Sequence, residues 1–89
     1  MTYFDWNIEK NNELKENRNI SFEIIVVQIE NGSILDILEH PNKEKYGNQQ
    51  IYIIEFDDYA YLVPFIKDGD KIFLKTIIPS RKATKKYLR

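Results

Sequence analysis

Arg81 and Lys82 open a run, Arg81-Lys82-Ala83-Thr84-Lys85-Lys86, that contains no acid and follows Pro79-Ser80. Proline stops a strand and serine is a good N-cap, so the segment predicts a helix from Ser80 to about Leu88 with both cations in its first turn. A helix start is electropositive, and each cation there costs about 0.3–1 kcal/mol. Free N–H groups, an arginine fork and a lysine together make a good oxyanion or phosphate site. Binding explains this arrangement better than stability does. The surrounding charge is just as uneven. Residues 71–89 carry seven Lys/Arg and no Asp/Glu, whereas residues 1–70 carry six Lys/Arg and all fourteen Asp/Glu, so a net charge of −1 hides regional charges of +7 and −8. A basic end on an acidic body suits a polyanion or an acidic partner, and it also describes a solubilising terminal helix.

The strands ahead of that run carry aromatic rings and lysines in alternation. In the last strand, Lys71, Phe73, Lys75 and Ile77 fall on one face, and Ile72, Leu74, Thr76 and Ile78 on the core face. In the strand before it, Tyr59, Tyr61, Val63 and Phe65 share a side. Where register aligns them, Tyr59, Tyr61 and Phe73 lie among Lys71 and Lys75. Rings that stack bases beside cations that pair phosphates suit single-stranded RNA. Cross-strand aromatic pairing on a half-exposed sheet accounts for the same residues.

Other chemistries find little support. His40 stands alone in a loop and reads as an exposed histidine. No His or carboxylate pair has metal-ligand spacing, and cysteine is absent, so no metal, no thiol nucleophile and no disulfide is expected. With three glycines there is no phosphate-cradling or dinucleotide fingerprint, which argues against NTP hydrolysis and hydride transfer. No cofactor is implied.

The elements that must position these residues follow from pattern. The chain has 89 residues, 43% hydrophobic and 30% charged, which is one small globular domain. No apolar stretch approaches the roughly 20 residues of a membrane span. Met1–Asn12 has no apolar signal segment, so a cytoplasmic protein is expected. Asp5 or Asn7 caps a helix to about Asn17 in which only Ile8 and Leu14 are apolar. Ser21–Ile29 fits two descriptions. Phe22, Ile25, Val26 and Ile29 match helical spacing, but Ile24–Val27 is β-branched and Asn31-Gly32 is a strong hairpin turn. Ile34–Leu38, Ile51–Phe56, Tyr59–Ile66 and Lys71–Ile78 read as strands. Asp57-Asp58 and Asp68-Gly69-Asp70 are tight turns, and His40–Gln49 is a polar loop. Pro64 suggests an edge position or a bulge.

Phe4-x-Trp6-Asn7-x-x-Lys10, followed by Ile20-Ser21-Phe22-Glu23, resembles the opening of BrnT-family toxins, F-x-W-D-x-x-K and then, after a helix, G-V/I-S-F-E. Ile77-Ile78-Pro79-Ser80-Arg81-Lys82-Ala83-Thr84 resembles that family's I-I-S-A-R-x-A-T. The resemblance covers both ends and the element order between them. It implies a RelE-like α+β fold over residues 1–89: two N-terminal helices, an antiparallel meander of about four strands and a short basic C-terminal helix. On this resemblance Ser21–Ile29 is helical. It also implies a type II toxin that cleaves RNA without metal and is held by a cognate DNA-binding antitoxin.

The implied reaction is attack of an RNA 2′-hydroxyl on the adjacent phosphate. Arg81 then stabilises the phosphorane, Lys10 and Lys82 hold the phosphate, and Tyr59 or Tyr61 stacks a base. Lys71, Phe73 and Lys75 extend the RNA surface, and Lys85 and Lys86 serve RNA or antitoxin. The departures are Asn7 for Asp, Arg18 for His, Asn19 for Gly and Pro79-Ser80 for Ser-Ala. Asn19 tolerates the left-handed conformation that glycine would adopt. Arg18 enters the catalytic set by position alone, and its guanidinium stays charged and is no proton-transfer base. A chain lacking that histidine either recruits another group or is a catalytically inactive RNA- or protein-binding module on the same fold. An open sheet edge would also accept a second copy of the chain.

Overall fold

The computed structural model describes residues 2–39, 43–46 and 49–88; His40 lies outside them. In chain order the elements are β1 (Tyr3–Trp6), α1 (Ile8–Arg18), α2 (Phe22–Glu30), β2 (Ile34–Glu39), a single turn α3 (Lys43–Tyr46), β3 (Gln49–Phe56), β4 (Tyr59–Asp68), β5 (Lys71–Leu74), β6 (Ile78–Pro79) and α4 (Arg81–Leu88). The α+β class, two early helices and basic last helix are as expected. The strands are more numerous and less uniform. Among the described residues six form one sheet in the order β1-β5-β4-β3-β2, with β6 beside β4. β2 to β5 is the antiparallel meander, but β1 pairs parallel to β5, so the sheet is mixed. Local pattern does not reveal β1, because its four residues pair with a strand at the other end of the chain.

Caps and turns place the helices and hairpins. Asn7 Oδ1 accepts the Lys10 N–H and starts α1, and Asn19 ends it in the left-handed conformation at φ 52°. Ser21 Oγ accepts the Ile24 N–H and starts α2. The β-branched run is therefore helical, because Phe22 and Ile25 on one helical face are buried in the core. Asp57 and Asp58 both have positive φ, 55° and 60°, as a two-residue hairpin turn between β3 and β4 requires.

The two faces of the sheet are covered differently. Tyr52, Ile54, Val63, Phe65 and Leu74 face α1 and α2 through Leu14, Phe22 and Ile25. The Tyr52 and Phe65 rings stack across β3 and β4 at 4.0 Å. The alternate residues Ile53 and Ala60 face α4 through Ala83, Tyr87 and Leu88. Because Ile8 is 73% exposed, Leu14 is the buried apolar contact of α1.

One irregularity decides which residues reach which face. Phe65 pairs with Leu74, but Leu62 pairs with Ile78, a slip of one residue. An extra residue flips the side-chain phase beyond it. Ile77 is consequently buried with the helix-side core and Ile78 is 41% exposed, the reverse of the uninterrupted alternation expected through Ile78. Pro64 sits at the same break, in the centre of the sheet and not at its edge. Its carbonyl accepts the Lys75 N–H at 2.8 Å, so its ring nitrogen faces the gap between β5 and β6, where no ladder bond needs a donor.

A polar bond ties the two early helices together. Asn11 is 4% exposed; its Oδ1 accepts the Phe22 N–H at 2.8 Å and its Nδ2 donates to Glu23 Oε1 at 2.7 Å. The Phe22 N–H belongs to the first turn of α2 and has no partner within that helix. Asn11→Ala leaves it unpaired in the core, and urea unfolding should show a loss of about 1–3 kcal/mol. An unchanged midpoint would mean that water replaces the bond.

Candidate functional site

The basic helix is fastened to the start of β4 by its own small polar residues. Ser80 N–H donates to the Ala60 carbonyl at 3.0 Å, and Ser80 Oγ accepts the Ala83 N–H at 3.1 Å. Thr84 Oγ1 accepts the Ala60 N–H at 2.9 Å and donates to the Ser80 carbonyl at 2.8 Å. With Ala83 and Thr84 buried, the remaining residues of α4 divide into two stripes.

Arg81, Thr84, Lys85 and Leu88 recur at helical spacing and form one wall of a cleft of about 470 Å³. The opposite wall is the β3–β4 hairpin, with Glu55, Asp58 and Tyr59. Two cations therefore face two carboxylates and a phenol ring. Among the described residues no ion pair engages Arg81, Lys85, Glu55 or Asp58. The opposite charges stand apart with room for a ligand, and the volume lies within the range of small-molecule sites.

The second stripe leads elsewhere. Lys82 and Lys86 rim a groove of about 200 Å³ floored by Leu38, Ile53, Leu62, Ala83 and Tyr87. The Lys86 ammonium lies 5.3 Å from the Tyr87 ring centre. Arg81 and Lys82 are neighbours in sequence but are turned by about 100° from each other on the helix, and they line different hollows. Lys10 and Arg18 line a third hollow, about 180 Å³, with Glu13, Thr76 and Ile78. Arg18 Nη1 donates to the Ile77 carbonyl at 3.1 Å, within the segment where β5 gives way to β6. Arg18 thus satisfies a backbone group that the bulge leaves without a ladder partner. The four residues expected to act together, Arg81, Lys82, Lys10 and Arg18, do not line one cleft. α1 packs on one face of the sheet and α4 on the other.

The expected aromatic–lysine face is not assembled. Tyr61 pairs with Ile54 and joins the helix-side core, whereas Phe73 pairs with Ile66 on the opposite face. Burial above all, and then the nearby Asp57 and Tyr59, push the Tyr61 hydroxyl above its ordinary pKa. Tyr61 packs against Phe56 at 6.4 Å and Tyr59 at 5.7 Å, while Tyr59 also lines the α4 cleft. Lys71 pairs with Asp5 of β1 at 3.7 Å and lies 5.6 Å from the Phe73 ring centre. Lys75 is exposed.

A bond at the far end of α4 holds the helix against the sheet edge. Tyr87 Oη donates to Asp36 Oδ2 at 2.6 Å, and the Ile37 N–H donates to Asp36 Oδ1 at 2.8 Å. These two bonds, Tyr87 first, hold the Asp36 carboxyl below its usual value. A carboxylate depressed by folding adds stability above its unfolded pKa and loses it as pH falls through the lower folded value. In Tyr87→Phe the Asp36 titration followed by NMR should move up toward the ordinary carboxylate range. An unmoved titration would show that Tyr87 does not hold the charge.

Glu55 and Asp58 are the cleft residues that the sequence pattern does not single out. The stripe Arg81, Thr84, Lys85, Leu88 is readable from helical spacing alone, but the hairpin wall is not, since it depends on α4 crossing back over β3 and β4. Among the described residues no group of three His, Cys, Asp or Glu is arranged to hold a metal ion, and no helix is long and apolar enough to cross a membrane. Compared with known proteins, the chain matches no family model, no curated sequence and no solved structure.

Proposed function

We propose that the chain is a BrnT-like type II toxin on a RelE-like fold, a metal-independent endoribonuclease acting in the cytoplasm and restrained by a cognate DNA-binding antitoxin. The observation that carries this reading is the Arg81–Lys85 stripe opening into a cleft beside Tyr59. A phosphate fits against the two cations, and the ring offers a base a stacking surface. In the reaction the RNA 2′-oxygen attacks the adjacent phosphorus and the 5′-oxygen leaves, giving a 2′,3′-cyclic phosphate. Arg81 meets charge that develops only in the transition state, where a fixed donor is worth most. Lys85 takes the phosphate-holding role that the motif reading gave to Lys82. Lys10 and Arg18 lie on the other face, where they contact a flanking stretch of RNA or the antitoxin.

A second reading, a catalytically inactive binding module, is favoured by Arg18. It stands where the resembled family carries histidine, and it is spent on the Ile77 carbonyl. Expression in a bacterium with mapping of RNA 5′ ends separates the two. The toxin reading expects growth arrest and new 5′-hydroxyl ends. Normal growth and intact RNA at good soluble expression would leave only the binding module.

A further inference from the structure

Attack by a 2′-hydroxyl needs a group that takes its proton, and neither arginine nor a charged lysine does so. The α4 cleft supplies the missing kind of group on the wall facing Arg81 and Lys85, as Glu55 and Asp58. The two carboxylates are held differently. Glu55 is on β3, half-buried, and its backbone is fixed on both sides: its N–H donates to the Ser33 carbonyl at 3.1 Å and its carbonyl accepts Gln28 Nε2 at 2.8 Å. Asp58 is exposed in the hairpin turn, in the left-handed conformation. A reacting group on a fixed strand is positioned more tightly than one on a turn. No hydrogen bond or ion pair among the described residues occupies the Glu55 carboxylate, so both its oxygens are available to a ligand.

We propose that Glu55 is the general base of this site, a deepening that rests on the ribonuclease reading. The substrate class is single-stranded RNA: its ribose 2′-hydroxyl carries a proton for the carboxylate to remove, and its unpaired bases can stack on Tyr59 in the same cleft. Glu55 takes that proton as the 2′-oxygen bonds to phosphorus. The bond from phosphorus to the 5′-oxygen breaks, and the departing oxygen takes a proton from the Lys85 ammonium. The products are a 2′,3′-cyclic phosphate and a 5′-hydroxyl. Solvent then removes the proton from Glu55 and returns one to Lys85, so both groups regain their starting states. Arg81, beside Lys85, holds the phosphorane oxygens throughout. The carboxylate replaces the proton-transfer role that Arg18 does not fill.

The test uses the purified full chain and a defined single-stranded RNA oligonucleotide, with initial rates taken from about pH 4 to about pH 9. The variants are Glu55→Gln, Glu55→Asp and Asp58→Asn, each checked for fold by circular dichroism. The wild type is expected to lose rate on the acid side and to leave cyclic-phosphate ends, with no cut in the 2′-deoxy analogue. Glu55→Gln should lose about 10²-fold or more in rate together with the acid limb. It should still bind the uncleaved deoxy strand, because it removes a negative charge and no cation. Glu55→Asp should keep the limb at reduced rate, and Asp58→Asn, which alters the same cleft without removing the base, should lose less rate than Glu55→Gln and keep the acid limb. A Glu55→Gln enzyme that cleaves at the wild-type rate with its acid limb intact overturns the assignment while the ribonuclease reading stands. A folded wild type that leaves RNA whole overturns both.

Discussion

On the ribonuclease reading, Arg81→Ala is expected to lower RNA cleavage by about 10²-fold or more and to leave the protein as stable as before, or slightly more so. The two effects have opposite signs for one reason. Arg81 is exposed in the first turn of α4, and among the described residues its side chain makes no ion pair or hydrogen bond, so truncation breaks no polar side-chain contact within the fold. Its charge sits against the positive end of the helix at a cost of about 0.3–1 kcal/mol, which alanine removes. On the proposed mechanism the same charge is the fixed donor for the phosphorane, and the loss should therefore appear in kcat more than in KM. Arg81→Lys keeps the charge but not the two-pronged fork, and should fall between the two. Initial rates beside thermal unfolding of the same preparations decide the matter. A variant that cleaves normally would remove Arg81 from the site. One that loses activity only by unfolding would make its role structural.

Phe22→Ala should cost about 3–5 kcal/mol, a large share of the roughly 5–15 kcal/mol that holds a natural domain together. Phe22 has no exposed surface, opens α2, and sits between the sheet and both early helices. Its ring stacks on Trp6 of β1 with centroids 5.8 Å apart. Truncation removes that contact and leaves a cavity where α1, α2 and β1 meet. Trp6 is the chain's single tryptophan, so its fluorescence reports this site directly. Urea unfolding followed at Trp6 should show a much lower midpoint, and Phe22→Leu a smaller loss. A midpoint shift under about 1 kcal/mol would mean that the surrounding helices collapse into the space.

The sequence by itself determined what depends on neighbouring residues. Asn7, Ser21 and Ser80 cap helices because a short polar side chain reaches an N–H two or three residues on, whatever the rest of the chain does. Asp57-Asp58 turns because aspartate tolerates positive φ. The meander of β2 to β5, the basic α4 and the concentration of cations after residue 70 were all legible for the same reason.

The tertiary structure decided what depends on distant partners. The Phe22–Glu30 segment had two workable local forms, and burial of Phe22 and Ile25 against the sheet selects the helix over the hairpin. β1 exists only because β5 lies beside it. The one-residue slip beyond Leu74 is invisible in a continuous apolar alternation, yet it turns Ile77 inward and leaves the carbonyl that Arg18 takes up. The grouping of the cations follows from the same kind of constraint. Adjacent residues on a helix point about 100° apart, so docking α4 by Ala83 and Thr84 sends Arg81 and Lys85 toward Glu55 and Asp58, and Lys82 and Lys86 toward an apolar groove. A charge run states how many cations a segment has. Which of them meet a carboxylate across a cleft is set by the face on which the helix lands.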